Sequence, residues 1–180
     1  GLQPDLLIGH SLGELTATAV AGMWGTRSNF LAFMRYRGQV MDHACASKPS
    51  GMIATSLTDQ NSLNNILSNY SSCRISNINS PSQYTISGDL DDLNKLSIEL
   101  KEAGAKATLL NVSGGFHSPL MSEAGNDFTA RLSDAEIRYP SLNVLSMVDG
   151  EYYSSDSDNS LSTLSRHMTE SVDLIKDRKS

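Results

Sequence analysis

The chain has 180 residues, 39% of them hydrophobic, and a formal net charge of −6. That length can bury the core of one domain or of two small ones. The acidic balance weighs against nucleic acid as a partner, and no basic-then-apolar leader or bilayer-length apolar run points to a membrane.

In chain order, Leu6, Leu7 and Ile8 form a short apolar run of the kind a buried parallel strand shows. Gly9-His10-Ser11-Leu12-Gly13 follows, a G-x-S-x-G spacing that fits a sharp turn with no room for bulk two residues to either side. After Ser11, Leu12, Leu15, Ala19 and Gly22 recur at helical spacing. The order is then strand, elbow, helix. Such a helix turns its first N–H groups and its dipole toward any negative charge developing at the serine. On the pentapeptide alone, Ser11 is either a nucleophile or an ordinary serine in a glycine-rich turn.

A second helix is expected from about Ser28 to Ala44. The rhythm then changes. Residues 51–57 have strand composition, and 59–70 place Leu63, Ile66, Leu67 and Tyr70 on one helical face. Residues 73–79 and 83–88 read as strands around a Ser80-Pro81-Ser82 turn. Residues 89–104 read as a helix with an Asp at its start, Leu93, Leu96 and Leu100 on one face, and Gly104 as its stop. A strand over 105–112 completes a β-α-β-β-α-β order, the ferredoxin-like arrangement. From Ser113 the chain returns to loop and helix. A strand at 142–148, a polar Ser/Asp-rich loop at 149–160 and a weakly helical end follow.

The two cysteines, Cys45 and Cys73, lie far apart, which fits free thiols in a reducing, cytoplasmic setting. The four histidines (10, 43, 117 and 167) have no metal-ligand spacing and the sequence has no Gly-rich phosphate loop, so neither a metal nor another bound cofactor is expected.

Three further side chains invite chemistry. Arg37 falls in the middle of the stripe formed by Phe30, Met34, Met41 and Ala44, rather than on the opposite face. It either snorkels from the edge of a core or is held inward to grip a planar anion such as a carboxylate. Arg35 lies off the stripe and reads as a surface charge. His117 sits in a loop after Gly114-Gly115-Phe116, where a scaffold can position a base, although a loop histidine is commonly just exposed. His10 can line a pocket beside the serine. His43 reads as a surface residue.

In order, "GHSLGE", "RYRGQVM", "NSPSQYTISG" and "VSGGFHSPLM" resemble the malonyl-CoA:acyl-carrier-protein transacylases and the acyltransferases of polyketide synthases. The resemblance runs from about residue 5 to 148. It implies an α/β-hydrolase-like acyltransferase core, residues 1–50 and 113–180, with residues 51–112 as an inserted ferredoxin-like subdomain. It implies that Ser11 carries the acyl group, His117 is the base, and Arg37 holds the malonyl carboxylate. Leu12 would offer a backbone N–H to the oxyanion, and Phe116 matches the form of malonyl-preferring members.

The implied substrate is malonyl-CoA, and the implied partner is an acyl carrier protein, within a larger synthase or beside one. Two departures stand out. The family's G-Q-G segment, whose glutamine gives a second oxyanion donor, has no counterpart here. Toward the other end "HMTESVDL" puts His167 where the family has glutamine, and Ser171 where it has proline. The expectation is therefore a fragment of such an enzyme. Two rivals remain. One is an acyl or thioester hydrolase using the same serine and histidine, its acid drawn from Asp59, Asp89, Asp91 or Asp92. The other is an inactive domain that only docks carrier proteins.

Overall fold

A computed structural model describes residues 4–56, 60–154 and 157–175. The fold is mixed α/β. Strand β1 (Leu6–Ile8) runs parallel to β6 (Asn143–Leu145), with Leu7 opposite Val144. Helix α1 (Leu12–Val20) leaves β1 at once, and the long α2 (Arg27–Ser47) follows, its first turn capped by the Thr26 hydroxyl, which accepts from the Asn29 N–H at 3.2 Å. After the loop beyond residue 112 come a 3₁₀ turn (Pro119–Met121) and α5 (Ser122–Leu132), and near the chain's end α6 (Ser157–Arg166). These helices close on one apolar core in which Leu15, Met23, Met121 and Phe128 are fully buried. Trp24 anchors it, tilted against Phe33 at 5.1 Å and donating from its indole N–H to Thr18 at 2.9 Å.

Between α2 and the 3₁₀ turn lie β2 (Ser50–Ser56), α3 (Gln60–Leu67), β3 (Arg74–Ser80), β4 (Gln83–Asp89), α4 (Leu90–Glu102) and β5 (Lys106–Leu109). The strands pair antiparallel in the order β5-β2-β4-β3. Leu63 on α3 and Leu93, Leu96 and Leu100 on α4 are fully buried with Ile53 and Ile86 of the sheet, and Ile66 is half-buried beside them. The apolar spacing read from the sequence thus marks the packed faces. Gly104 stops α4 with φ +82°, a conformation that other residues adopt with difficulty. Asp89 stands before α4, but its carboxylate pairs with Lys48 at 3.1 Å instead of capping the helix.

Two features depart from expectation. A two-residue strand, β7 (Val172–Asp173), adds to β3 in parallel and makes the sheet five-stranded. The polar segment after residue 148 is not simply solvated: Tyr153 is buried, and α6 already begins at Ser157. The strand expected to run to Leu57 and the helix expected to start at Asp59 have those ends outside the described residues. No helix among the described residues is long and apolar enough to cross a membrane.

Candidate active site

The β1-to-α1 turn is tight because of one glycine. A Cβ on Gly9 would stand 2.0 Å from the Gly13 carbonyl carbon, whereas a Cβ on Gly13 would meet nothing within 4 Å. The expectation of crowding on both sides therefore holds for Gly9 alone, since Gly13 points away from the crossing. Gly9→Ala is expected to destabilise the full-length protein by roughly 3 kcal/mol or more, because backbone must move. Gly13→Ala is expected to be neutral or to stabilise by up to about 1 kcal/mol through helix propensity. Urea unfolding of the two variants checks the contrast, and similar losses in both would contradict it.

The turn leaves Ser11 at φ 52°, ψ −120°. Among the described residues only one other non-glycine has positive φ, His117 at 54°. These two residues, 106 positions apart, are hydrogen-bonded: Ser11 Oγ lies 2.7 Å from His117 Nε2. Strained backbone persists only where its surroundings hold it, and it clusters at working sites.

The His117 loop is held by serines of the neighbouring sheet. Ser87 on β4 donates to the Phe116 carbonyl at 2.6 Å, and Ser50 on β2 accepts from the Gly115 N–H at 3.1 Å. Ser118 donates back to the Gly115 carbonyl at 2.6 Å. The histidine that the sequence placed in a loop is consequently buried, only 5% exposed.

Burial, and then the positive charge of Arg37, lower the His117 pKa to about 4, while the main-chain carbonyls of His167 and Glu170 pull the other way. Its Nδ1 is buried without an acceptor in hydrogen-bond geometry. The turn carrying those carbonyls is fastened by Arg166, which pairs with Asp149 and Glu170, each at 2.8 Å.

Ser11 and His117 open into a cavity of about 370 Å³, which Arg37 also lines. Met41, Met52 and Phe116 supply its apolar wall. Arg37 is 9% exposed, and its Nε is buried with no hydrogen-bond partner. No described carboxylate forms an ion pair with it. Burial lowers its pKa to about 10, which leaves it charged at neutral pH. Arg35 and His43 are exposed, as expected.

His10 lines the same cavity, with Asn77 on β3 donating toward its Nε2 at 3.4 Å. Leu12 opens α1, and its N–H belongs to the first turn, whose donors lack intrahelical acceptors. The site thus gathers Ser11, His117, Arg37, His10 and Phe116, with Leu12 at its edge. Away from it, a cleft of about 240 Å³ beside Trp24 and a groove of about 690 Å³ between Arg35 and Arg131 contain no serine–histidine pair. Among the described residues no group of three or more His, Cys, Asp or Glu could hold a metal ion.

Sequence reasoning missed three residues here. Asn77 is a buried polar residue on a strand, visible only as a break in its apolar face. Glu14, fully buried on α1, accepts from the Met147 N–H at 2.9 Å and from the Tyr153 hydroxyl at 2.7 Å, tying the elbow helix to the segment after β6. Burial raises its pKa. An acid beside Leu15 in the first turn of a helix gave no local sign of this burial. The third is the His167 side chain, which donates from Nε2 to the Ser11 carbonyl at 3.0 Å.

The family model described as "Acyl transferase domain" matches residues 1–171, past the point where the quoted motifs fade. A malonyl CoA-acyl carrier protein transacylase from Synechocystis sp. is 34% identical over 150 residues, which is 83% of this chain and 49% of that protein. The non-reducing polyketide synthase men2 of Menisporopsis theobromae is 31% identical over 175 residues, covering 97% of this chain and 8% of the synthase. A solved malonyl CoA-acyl carrier protein transacylase from Burkholderia pseudomallei superposes with a TM-score of 0.87 at 27% identity, over 96% of this chain and 58% of that one. The chain spans about half the length of the transacylases it matches and a small part of the synthase.

Proposed function

Because the chain belongs to the acyl transferase domain family, we propose that it moves a malonyl group from malonyl-CoA to the phosphopantetheine thiol of an acyl carrier protein, through an ester on Ser11. The observation carrying this reading is the Ser11–His117 pair at 2.7 Å, which shares one cavity with an unpaired, buried Arg37. His117 Nε2 takes the serine proton as Oγ attacks the thioester carbonyl. The oxyanion forms at the start of α1, where the Leu12 N–H and the helix dipole stabilise it. Collapse breaks the C–S bond, and the departing thiolate takes the proton from His117. In the second half the carrier thiol gives its proton to His117 and attacks the ester, and Ser11 leaves with that proton. Arg37 holds the malonyl carboxylate throughout, His10 lines the substrate site, and Phe116 closes the wall beside the base.

The same reading takes residues 51–112 as a ferredoxin-like subdomain inserted into an α/β-hydrolase-like core of residues 1–50 and 113–180. The antiparallel order β5-β2-β4-β3 supports it. Fatty acid or polyketide synthesis is the proposed setting, in a larger synthase or beside one. Free Cys45 and Cys73 fit a cytoplasmic site.

A hydrolase would place an acid against His117 Nδ1. Here main-chain carbonyls face that ring, while Asp92 accepts from Ser72 and Asp89 pairs with Lys48. The deciding experiment gives the full-length protein malonyl-CoA, with holo carrier protein and water as competing acceptors. Malonyl on the carrier thiol is expected to outrun free malonate. The reverse order would make the protein a hydrolase, and no turnover of either kind would leave only docking.

The His117 environment sets a pH dependence. Its free-base form does the work, and its pKa is lowered, so kcat/KM is expected to stay level down to about pH 5 and to fall below about pH 4. Folding stability follows the same sign. Unfolded histidines bind protons below about pH 6.5 that buried His117 and His167 refuse, so stability drops as pH falls through that window. A kinetic limb near pH 6.5 would mean that the ring is solvated.

A further inference from the structure

The reaction above uses the main chain at His167 and leaves its side chain without work. That ring is fully buried, and its Nε2 lies 3.0 Å from the Ser11 carbonyl oxygen. A carbonyl only accepts, so Nε2 carries the hydrogen and Nδ1 is bare. Nδ1 is buried with no hydrogen-bond partner, which leaves the bond to Ser11 as the ring's one polar anchor among the described residues. The Ser11 carbonyl also accepts from the Glu14 N–H at 2.8 Å, so the ring is its second donor. The same ring meets His117 edge-on, with centroids 5.7 Å apart and planes at 72°. One side chain therefore bonds to the strained nucleophile's backbone and packs T-shaped against its base. Burial first, and then the charges of Arg37, His117 and His10, lower its pKa to about 3 against the pull of the Ser11 carbonyl, so it stays neutral.

We propose that His167 is a positioning residue, whose Nε2–H bond to the Ser11 carbonyl locks the elbow in its positive-φ conformation and whose ring, packed T-shaped against His117, fixes the resting angle of that base. The inference rests on Ser11 being the nucleophile. Among the described residues no other side chain donates to this carbonyl. A glutamine amide, which the family resemblance places here, has the reach and the N–H to replace the imidazole donor. Leucine has similar bulk and no donor.

The test uses an alkyl fluorophosphonate, a serine-directed electrophile that needs no acyl substrate, with intact mass as readout on the full-length protein. Labelling of wild type that is lost in Ser11→Ala secures the nucleophile separately; no labelling of wild type would sink that reading and this one with it. His167→Gln is expected to label within about threefold of wild type, and His167→Leu at least about tenfold more slowly, because small misplacements of a nucleophile are amplified in rate. A leucine variant that labels like wild type overturns the proposal, and so does a glutamine variant as slow as leucine. Should the leucine variant fail to fold, histidine ¹⁵N spectra of wild type decide. An Nε2–H tautomer that persists down to about pH 5 supports the proposal, and an Nδ1–H tautomer or a ring titrating near pH 6.5 overturns it.

Discussion

Ser11→Ala is expected to abolish the covalent acyl adduct proposed to form from malonyl-CoA on the full-length protein and to lower kcat/KM by at least about 10⁴-fold, the scale seen when one member of a nucleophile–base unit is removed. The expectation rests on geometry. A serine hydroxyl is a weak nucleophile until a base takes its proton in flight, and His117 Nε2 stands 2.7 Å away in its neutral form. Both residues hold positive φ, at 52° and 54°, so each is aimed by a backbone that an ordinary loop would relax. Because the two act as a unit, His117→Ala is expected to lose nearly as much, and the double variant no more than either single one. Intact mass after mixing with malonyl-CoA reads the adduct, and steady-state transfer to carrier protein reads the rate. An adduct surviving Ser11→Ala would place the nucleophile elsewhere. Additive losses in the double variant would separate the histidine from the serine's chemistry.

The elements around this pair were legible wherever the periodic pattern coincided with packing. Leu63, Leu93, Leu96 and Leu100 are read from 3–4 spacing and are fully buried, because a two-layer arrangement gives each helix one apolar face. β1 was legible as a parallel strand because an apolar run ending in a glycine-rich turn has few other uses, but the burial expected of it is not found: Leu6 and Leu7 are half-buried and Ile8 is exposed. β7 was not: two residues, Val172 and Asp173, carry no period, and they pair with β3 only because the chain's end returns to it. Tyr153 lies in a segment whose serines and aspartates dominate its composition, yet one phenol bonded to Glu14 is enough to bury it.

The site divides along the same line. Ser11 was marked by local spacing and Arg37 by its place on an apolar stripe, both features of one short segment. His117 carried no such mark. Its burial depends on Ser50 and Ser87, which belong to strands far away in sequence, and a histidine in a polar loop reads as exposed without them. Asn77 and the His167 side chain are longer-range still, since each gains meaning only from a contact with the segment around Ser11. Local spacing reveals what a residue's own element does with it. It is silent on a contact made across the fold.

Arg37→Ala is expected to lower kcat/KM for malonyl-CoA by about tenfold to a hundredfold while leaving acetyl-CoA as good a substrate or a better one, since a hydrogen bond to a charged group contributes about 1.5–3 kcal/mol. The helix spacing sends this arginine inward, and the structure leaves it 9% exposed with its Nε unpaired. A buried guanidinium without a carboxylate partner is unfavourable by itself. It becomes favourable once an anion enters the cavity that it shares with Ser11. The malonyl carboxylate is an anion of that kind, two carbons from the carbonyl under attack, and the planar fork can take both its oxygens. Arg37→Lys keeps the charge but not the fork, so an intermediate loss is expected. Removing the charge also lifts one of the two main influences lowering the His117 pKa, so the acid limb should move upward in Arg37→Ala with either substrate. Measuring malonyl-CoA and acetyl-CoA on all three proteins across pH separates the roles. Equal losses for both acyl groups would make Arg37 a structural residue, and the dicarboxylic substrate would lose its support in the geometry. A loss confined to malonyl, with the limb shifted for both, identifies one side chain that selects the substrate and keeps the base free of its proton.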